Sequence, residues 1–592
     1  MPNPAARLAA LRTWMQQQGL DAWYQPSADP HDGEYVPAHW QGRAWLSGFD
    51  GSAGTLVVTA QQAGLWTDGR YYIQAEQQLQ GSGIQLFRQV DPGVPSPSEW
   101  LATTLAAGAT LGFEPDCLSL AQARQFTQAG LTLAPQANGL DAIWSERPPL
   151  PMAPAYLHQQ GEEAEPAHHR LQRLYQAVQA QGADHHIIAS LDDIGWALNL
   201  RGQDVPYHPL ALAYLLLTPT HTVLFIDLTK LNHRLQQHLQ AAGVQVLAYQ
   251  QVYTELAQLP AEARILLDPQ RIHMGLVTAL PGSVHWVEGA QPSTALKAIK
   301  HPRELAHWQQ AMRYDGIAMV RLMRWLEQAV PQGEATELSV EEELQRLRAS
   351  QPGYHLDSFR TIAGFGPHGA MMHYGATPAS NQRIQAESFF LLDSGGQYEQ
   401  GTTDITRTFN FGPLSQQQRL DYTLTLQGLI RLSKAHFKAG TRGTQLDVLA
   451  RAALWQQGID YACGTGHGVG FFMNVHEGPH SLSQRWIDVA LQPGMVVTIE
   501  PGVYRSGEYG IRIENLMQVV PAERTEFGQF YRFEPLTLAP INLAPLLPGY
   551  LSVDELAWLN AYHQRVYAEL SPYLQAEEQA WLAQACQPWS NE

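Results

Sequence analysis

The sequence predicts an α/β (α+β) protein in which two related N-terminal α/β domains precede a third, different domain. Three observations predict it. The chain has 592 residues, enough for three or four domains at roughly 150 residues each. Its first two segments look like weak copies of each other. Its last segment places four acids at or beside apolar, strand-like runs.

Composition narrows the function. Apolar residues make up 45%, ordinary for a globular protein, while charged residues make up only 16%, which argues against long charged tails. Lys plus Arg is 37 against 55 Asp plus Glu, a net charge of −18. That balance argues against non-specific binding to nucleic acid or an anionic membrane, both of which want a basic face, and leaves room for a locally basic cleft. Cys117, Cys463 and Cys586 form neither a disulfide framework nor a zinc-ribbon spacing. The longest apolar runs, such as LALAYLLL (210–217), are too short to span a bilayer. The N-terminus lacks the apolar core of a secretory signal. A cytoplasmic protein with no nucleic-acid and no membrane partner is expected.

Leu8, Leu11 and Met15 recur at helical spacing and predict an amphipathic first helix. The first domain spans 1–155. Prolines 148, 149, 151 and 154 and the stretch HQQGEEAEPAHH read as a linker, because Pro neither continues a helix nor donates to a ladder. The second domain spans 165–300 and ends after a loop-like stretch at 289–294. Its likeness to the first rests on three matches. Gln18-Gly19-Leu20-Asp21 matches Gln181-Gly182-Ala183-Asp184; Trp45-Leu46-Ser47-Gly48 matches Trp196-Ala197-Leu198-Asn199; TDGRYYIQAEQQL matches DLTKLNHRLQQHL.

The third domain spans 301–592 and opens on a mostly helical stretch. Ser339 and Glu342 read as a capping box, as do Ser552 and Glu555. SFFLLD (388–393) and ITRTFNFG (405–412) read as two strands joined by a Gly-rich turn. QPGMVVTIEPGVY (492–504) and YGIRIENLMQVV (509–520) read as another strand pair. Leu559, Tyr562, Val566 and Leu570 form a helical packing stripe.

The chemistry lies in this domain. Asp393, Asp404, Glu500 and Glu514 sit at or beside strands, where an unpaired carboxylate is costly. Pairing with Arg407 and Arg512 would neutralise two of them; a cation site accounts for all four. His467 lies in Gly464-Thr465-Gly466-His467-Gly468-Val469-Gly470, where glycine neighbours leave it open to a ligand. A phosphate-binding glycine loop is the plainer alternative, but no Lys occupies its usual position. His373 and His476, in or near strands, are further candidates. Four carboxylates and one imidazole suit a pair of divalent cations, whose bound water becomes a nucleophile near neutral pH. Hydrolysis of an acyl or phosphoryl bond follows, though little but Arg407 and Arg512 would hold a phosphate.

LLDSGGQYEQGTTDITRT, GTGHGVGFFMNVHEGP, MVVTIEPGVY and GIRIEN together resemble the pita-bread metallopeptidases, the family of aminopeptidase P, prolidase and methionine aminopeptidase. SGFDGSAGTLVVT, WTDGRYYIQAEQQL, GWALNLRG, RFEPLTLAPI and WLNAYH extend the resemblance to the long, three-domain X-prolyl aminopeptidase form. The resemblance implies a C-terminal pita-bread catalytic domain and a metal shell of Asp393, Asp404, His467, Glu500 and Glu514, with Asp404 bridging two ions. Mn²⁺ is the first expectation and Co²⁺ or Zn²⁺ the alternatives. A metal-bridging hydroxide would attack the carbonyl before proline, with Glu500 as general base and proton shuttle. His373 and His476 would bind substrate and stabilise the oxyanion. The substrate would be a peptide with a free N-terminus and proline in second place, and the protein a homodimer. An X-Pro dipeptidase (prolidase) and a non-catalytic peptide-binding relative are the rival readings. Cys463 stands four residues before His467, where the family commonly has His. It raises the expectation of a thiol sensitive to oxidation or soft metals.

Overall fold

The computed structural model describes residues 3–590 except 90 and 138. The chain divides into two compact units, Met1–Ser293 and Thr294–Glu592.

The first unit contains two six-stranded sheets of the same design. One runs, in spatial order, Gln85–Arg88, Ala63–Thr67, Thr55–Thr59, Ala22–Pro26, Thr110–Phe113, Thr132–Pro135. The other runs Val244–Leu247, Thr222–Ile226, Ala213–Leu217, His185–Ile188, Arg264–Leu267, His285–Glu288. In both, the first pair is parallel, the next two antiparallel and the last two parallel. The duplicated motifs occupy equivalent places for a physical reason. The helices Pro4–Gln18 and Ala167–Ala180 are each followed by a glycine of positive φ, Gly19 (69°) and Gly182 (83°), the left-handed conformation that ends a helix most cheaply at glycine. Asp21 and Asp184 then each exchange two hydrogen bonds with the start of the fifth strand. Their amides donate to the carbonyls of Thr110 and Arg264, and their carboxylates accept from the amides of those residues at 2.8 and 2.9 Å. Gly48 and Asn199 likewise end the helices Gly42–Ser47 and Leu191–Leu198 in the left-handed region. Leu8, Leu11 and Met15 are the buried residues of the first helix. The expected linker is more ordered than its composition indicates: it holds the helix Gln159–Ala164.

The second unit sets two main antiparallel sheets against helices and carries two smaller ones, of three and two strands. A three-stranded sheet, Ile362–Phe365, Phe389–Ser394, Ile405–Asn410, packs on the helices Pro302–Gln332 and Glu337–Ala349. A six-stranded sheet runs His436–Lys438, Gly528–Pro535, Asn515–Thr525, Val496–Ile499, Gly466–Gly468, Glu477–Leu482. Its core includes buried residues of the helices Gln416–Ser433, Gly443–Trp455 and Val553–Leu570. Leu559, Tyr562, Val566 and Leu570 are buried as expected, and Ser552 and Glu555 form the capping box. Three expectations need correction. The helix after 335 starts at Glu337 with Thr336 as its N-cap, because Thr336 and Ser339 exchange the capping bonds. The connection between Asp393 and Asp404 is more than a turn: it carries the short strands Gly396–Tyr398 and Gly401–Thr402. The segments 492–504 and 509–520 form two pairs rather than one, Val496–Ile499 with Asn515–Thr525 and Gly502–Arg505 with Tyr509–Arg512.

Candidate metal centre

Two of the sheets of the second unit, the three-stranded one and the six-stranded one just described, supply the acids. Asp393 lies in the strand Phe389–Ser394, opposite Thr406, and Asp404 immediately precedes Ile405–Asn410. His467 is the middle residue of Gly466–Gly468; Glu500 follows Val496–Ile499, and Glu514 precedes Asn515–Thr525. Runs such as Val496-Val497-Thr498-Ile499 are β-branched and buried, so the chain emerges from the sheet at the acid. The glycines beside His467 serve the sheet rather than access to a ligand. A Cβ on Gly466 would lie 1.9 Å from the Thr498 carbonyl oxygen, and one on Gly468 2.2 Å from that of Glu477. Only a strand without side chains at those positions fits between its two neighbours.

Asp404, His467 and Glu514 each offer a ligand atom within 4.8 Å of the others. His467 Nε2 lies 3.5 Å from Asp404 Oδ2 and 3.3 Å from Glu500 Oε1. The other ring nitrogen, Nδ1, sits 2.9 Å from the Gly468 carbonyl oxygen, to which it donates; this tautomer aims the Nε2 lone pair at the acids. Arg512 Nη2 holds Asp393 Oδ2 at 2.5 Å, and Thr406 Oγ1 donates to Glu514 Oε2 at 2.7 Å. The remaining oxygens, Asp393 Oδ1 and Glu514 Oε1, are buried with no hydrogen-bond donor among the described residues. Orphaned carboxylate oxygens beside an imidazole lone pair are what a cation would satisfy. The donor set therefore fits a divalent metal.

Electrostatics agree. Burial, then Glu514, Asp393 and Glu500, pushes the Asp404 carboxyl well above its ordinary range. Burial, then Glu500 and Asp393, does the same to Glu514. Glu500 is pushed up to about 7 by burial, against the opposing charge of Arg512. Without a cation the protein holds these acids together at a cost.

His476 joins the site: its ring meets that of His467 edge-on at 4.2 Å between centroids. His373 is half-buried in a turn after the short helix Gly366–Ala370, outside any strand, and the neighbouring Met372 carbonyl accepts from Arg512 Nη2. Arg407 does not pair with a site acid. Its guanidinium is buried among the backbone oxygens of Thr406, Glu514, Ala539 and Pro540, with Asn515 and the Tyr562 hydroxyl. Tyr562 is thus more than packing. Cys463 is half-buried, and burial pushes its thiol up to about 12, against the sensitivity that its position leads one to expect. The sequence reading missed Thr406 and Thr498. Thr406 stands two residues after Asp404, and Thr498, whose hydroxyl reaches Glu500 Oε1 at 3.2 Å, stands two residues before Glu500. That spacing, which repeats a strand face, was the available signal.

A buried carboxylate–imidazole cluster on antiparallel sheets, in a chain that also carries two α/β domains, defines a metallohydrolase of composite architecture. Family models agree along the chain: metallopeptidase family M24 at 306–521, the C-terminal region of peptidase M24 at 529–589, and creatinase/prolidase N-terminal domains at 7–143 and 146–304. Aminopeptidase P2 of Arabidopsis thaliana is 37% identical, over 99% of this chain and 88% of that protein. A probable Xaa-Pro aminopeptidase P of Aspergillus clavatus is 35% identical, over 99% and 93%. Among solved structures, an X-prolyl aminopeptidase of Caenorhabditis elegans, described as a cytosolic enzyme with a di-nuclear active site, superimposes with a TM-score of 0.95. It is 33% identical, and each chain covers 100% of the other. A Bacillus anthracis Xaa-Pro dipeptidase shares the fold over 64% of this chain and 99% of its own, with a TM-score of 0.52 and 23% identity. The chain belongs to metallopeptidase family M24, in the long aminopeptidase P form with two creatinase-like N-terminal domains.

Proposed function

We propose that this protein is a metal-dependent aminopeptidase that removes the first residue from peptides carrying proline in second place. The observation that carries the reading is the convergence of Asp404, His467 and Glu514 in a chain alignable from end to end with proteins named for that activity. We assign Asp393, Asp404, His467, Glu500 and Glu514 as the ligands of two divalent ions, Mn²⁺ before Co²⁺ or Zn²⁺. Charge supports two ions rather than one. Four carboxylates against Arg512 leave a formal −3. One divalent ion leaves −1; two leave +1, which matches the single negative charge that develops on the carbonyl oxygen. Such ions, when bound, polarise the scissile carbonyl and acidify a water.

The chain's own groups do the rest. Glu500 takes a proton from the attacking water and returns it to the proline nitrogen. His476 and His373 bind substrate and donate to the carbonyl oxygen as its charge grows. The acid shell receives the substrate's free amine.

We also infer a homodimer in a cytosolic setting, as described for the worm enzyme's location. No helix among the described residues is long and apolar enough to cross a membrane. We divide the chain into domains at 1–155, 165–300 and 301–592, each sheet of the first unit filling one of the first two.

The test follows an unblocked X-Pro-Pro tripeptide and an X-Pro dipeptide after chelation and Mn²⁺ add-back. Metal-restored release of the first residue from the tripeptide is expected. Cleavage of the dipeptide alone would make the protein a prolidase, and cleavage of neither, with metal bound, a binding protein. Asp404→Ala and His467→Ala should abolish turnover through metal loss, whereas His373→Ala should lower turnover at unchanged metal content.

A further inference from the structure

We propose that Glu337 is a positioning residue for His373, acting as the common anchor of the loop that carries it. The inference rests on the substrate-binding role assigned to His373 above.

Glu337 is the first residue of the helix Glu337–Ala349 and is fully buried. Its Oε1 accepts from the Phe365 amide at 2.9 Å and from His368 Nδ1 at 2.8 Å. Its Oε2 accepts from the Tyr374 hydroxyl at 2.9 Å and from the Gln382 amide at 3.1 Å. The Glu337 amide donates back to the Gln382 carbonyl at 3.0 Å. One carboxylate therefore gathers the start, the middle and the end of the segment 365–382. After Phe365, which ends the strand Ile362–Phe365, that segment has no strand and only the one-turn helix Gly366–Ala370. The Arg360 guanidinium adds a bond to the Ala376 carbonyl.

His373 sits between two tethered neighbours. On one side, the Met372 carbonyl is held by Arg512 Nη2, the nitrogen that also holds Asp393. On the other, Tyr374 reaches Glu337, and its ring stacks on His368 at 4.4 Å. The imidazole is thus suspended between the metal shell and the Glu337 anchor. An ionised carboxylate is an acceptor on both oxygens, so it can serve four donors at once. A Gln amide would point N–H at one of them and release that end of the loop. A shift of about 1 Å in a group that meets a transition state is enough to cost turnover.

The experiment is a double-mutant cycle on the Mn²⁺-loaded, full-length protein, read as kcat and kcat/KM on an X-Pro-Pro tripeptide. Glu337→Gln is expected to lower kcat and kcat/KM together by ~10–100-fold at unchanged metal content. In the His373→Ala background the same change should cost less than about threefold, because the group being positioned is gone. Should Glu337→Gln fold poorly, Tyr374→Phe removes one tether and should lose about threefold or more, again only when His373 is present. Parent-like kinetics in Glu337→Gln, or losses that multiply in full with those of His373→Ala, would overturn the proposal while leaving the role of His373 intact. Parent-like kinetics in His373→Ala itself would overturn both.

Discussion

Stripping cations from the protein should make its catalytic unit less stable as the pH rises. Asp404 and Glu514 are pushed well up, and Glu500 up to about 7 from 4.5, by burial first and then, in Asp404 and Glu514, by the charge of neighbouring acids. A carboxyl that titrates higher in the folded state than in the unfolded chain holds its proton more tightly when folded. Its stabilising contribution is complete below about pH 4.5 and is lost as the pH passes the folded value. At 1.36 kcal/mol per pH unit, Glu500 alone accounts for on the order of 3 kcal/mol between pH 4.5 and 7. At about 2 °C per kcal/mol for a unit of this size, the Tm of chelated protein should fall by about 6 °C between pH 5 and 8. Asp404 and Glu514 add to the fall. Cation binding has the opposite slope, because the ligands must lose their protons first. The Tm gap between Mn²⁺-loaded and chelated protein should therefore widen with pH. Scanning calorimetry at four pH values, with chelator or Mn²⁺, reads both curves. A chelated Tm that stays level or rises from pH 5 to 8 would refute the argument that these acids are held together against their own repulsion.

Two further expectations concern groups beside the site. Lys300 and Glu477 form an ion pair with both side chains at most 2% exposed, next to His476 in the chain. Lys300→Met should cost about 3–5 kcal/mol by stranding the carboxylate, whereas Lys300→Met with Glu477→Leu should recover most of that loss; calorimetry showing the double variant no better than the single would count against it. With its thiol pushed up to about 12, Cys463 should present fewer than about one thiolate in 10,000 at pH 7.5 and resist iodoacetamide until the protein is denatured. Mass spectrometry finding folded and denatured protein labelled at the same rate would contradict it.

The legible features were those that the backbone imposes locally. The Gln-Gly-x-Asp repeats mark the same helix stop and the same aspartate on the same strand in both halves of the first unit. The four acids were legible because an acid at the end of an apolar strand contradicts its surroundings, and of the residues proposed as ligands Asp404, His467 and Glu514 converge. Relations between distant segments were not legible. Thr336 outcompetes Ser339 as the cap partly because the Glu337 amide bonds to Gln382, 45 residues further on. Arg407 looks like a partner for a nearby acid, yet it is consumed by backbone carbonyls as far away as Pro540. The duty of Glu337 leaves no sequence signal of its own, because a helix-start glutamate is common anywhere.

These long-range bonds explain how the acids stay together. Asp404 and Glu514 belong to different sheets and repel one another, so the sheets must be joined by something other than the acids. The joint is uncharged on the acid side and mostly backbone. The Glu514 amide donates to the Thr406 carbonyl at 3.1 Å, and Arg407 Nη1 donates to the Glu514 carbonyl at 2.6 Å. The Thr408 hydroxyl donates to the Arg512 carbonyl at 2.8 Å. Each of these bonds fixes the main chain at a proposed ligand or two residues from one, leaving the carboxylates themselves to a cation. Arg407, with its donors spent on oxygens of both sheets and of the segment at 539–540, is the rivet of that joint. The acids are thus brought together by main-chain bonds and Arg407 rather than by partners of their own carboxylates, which leaves those oxygens to a cation.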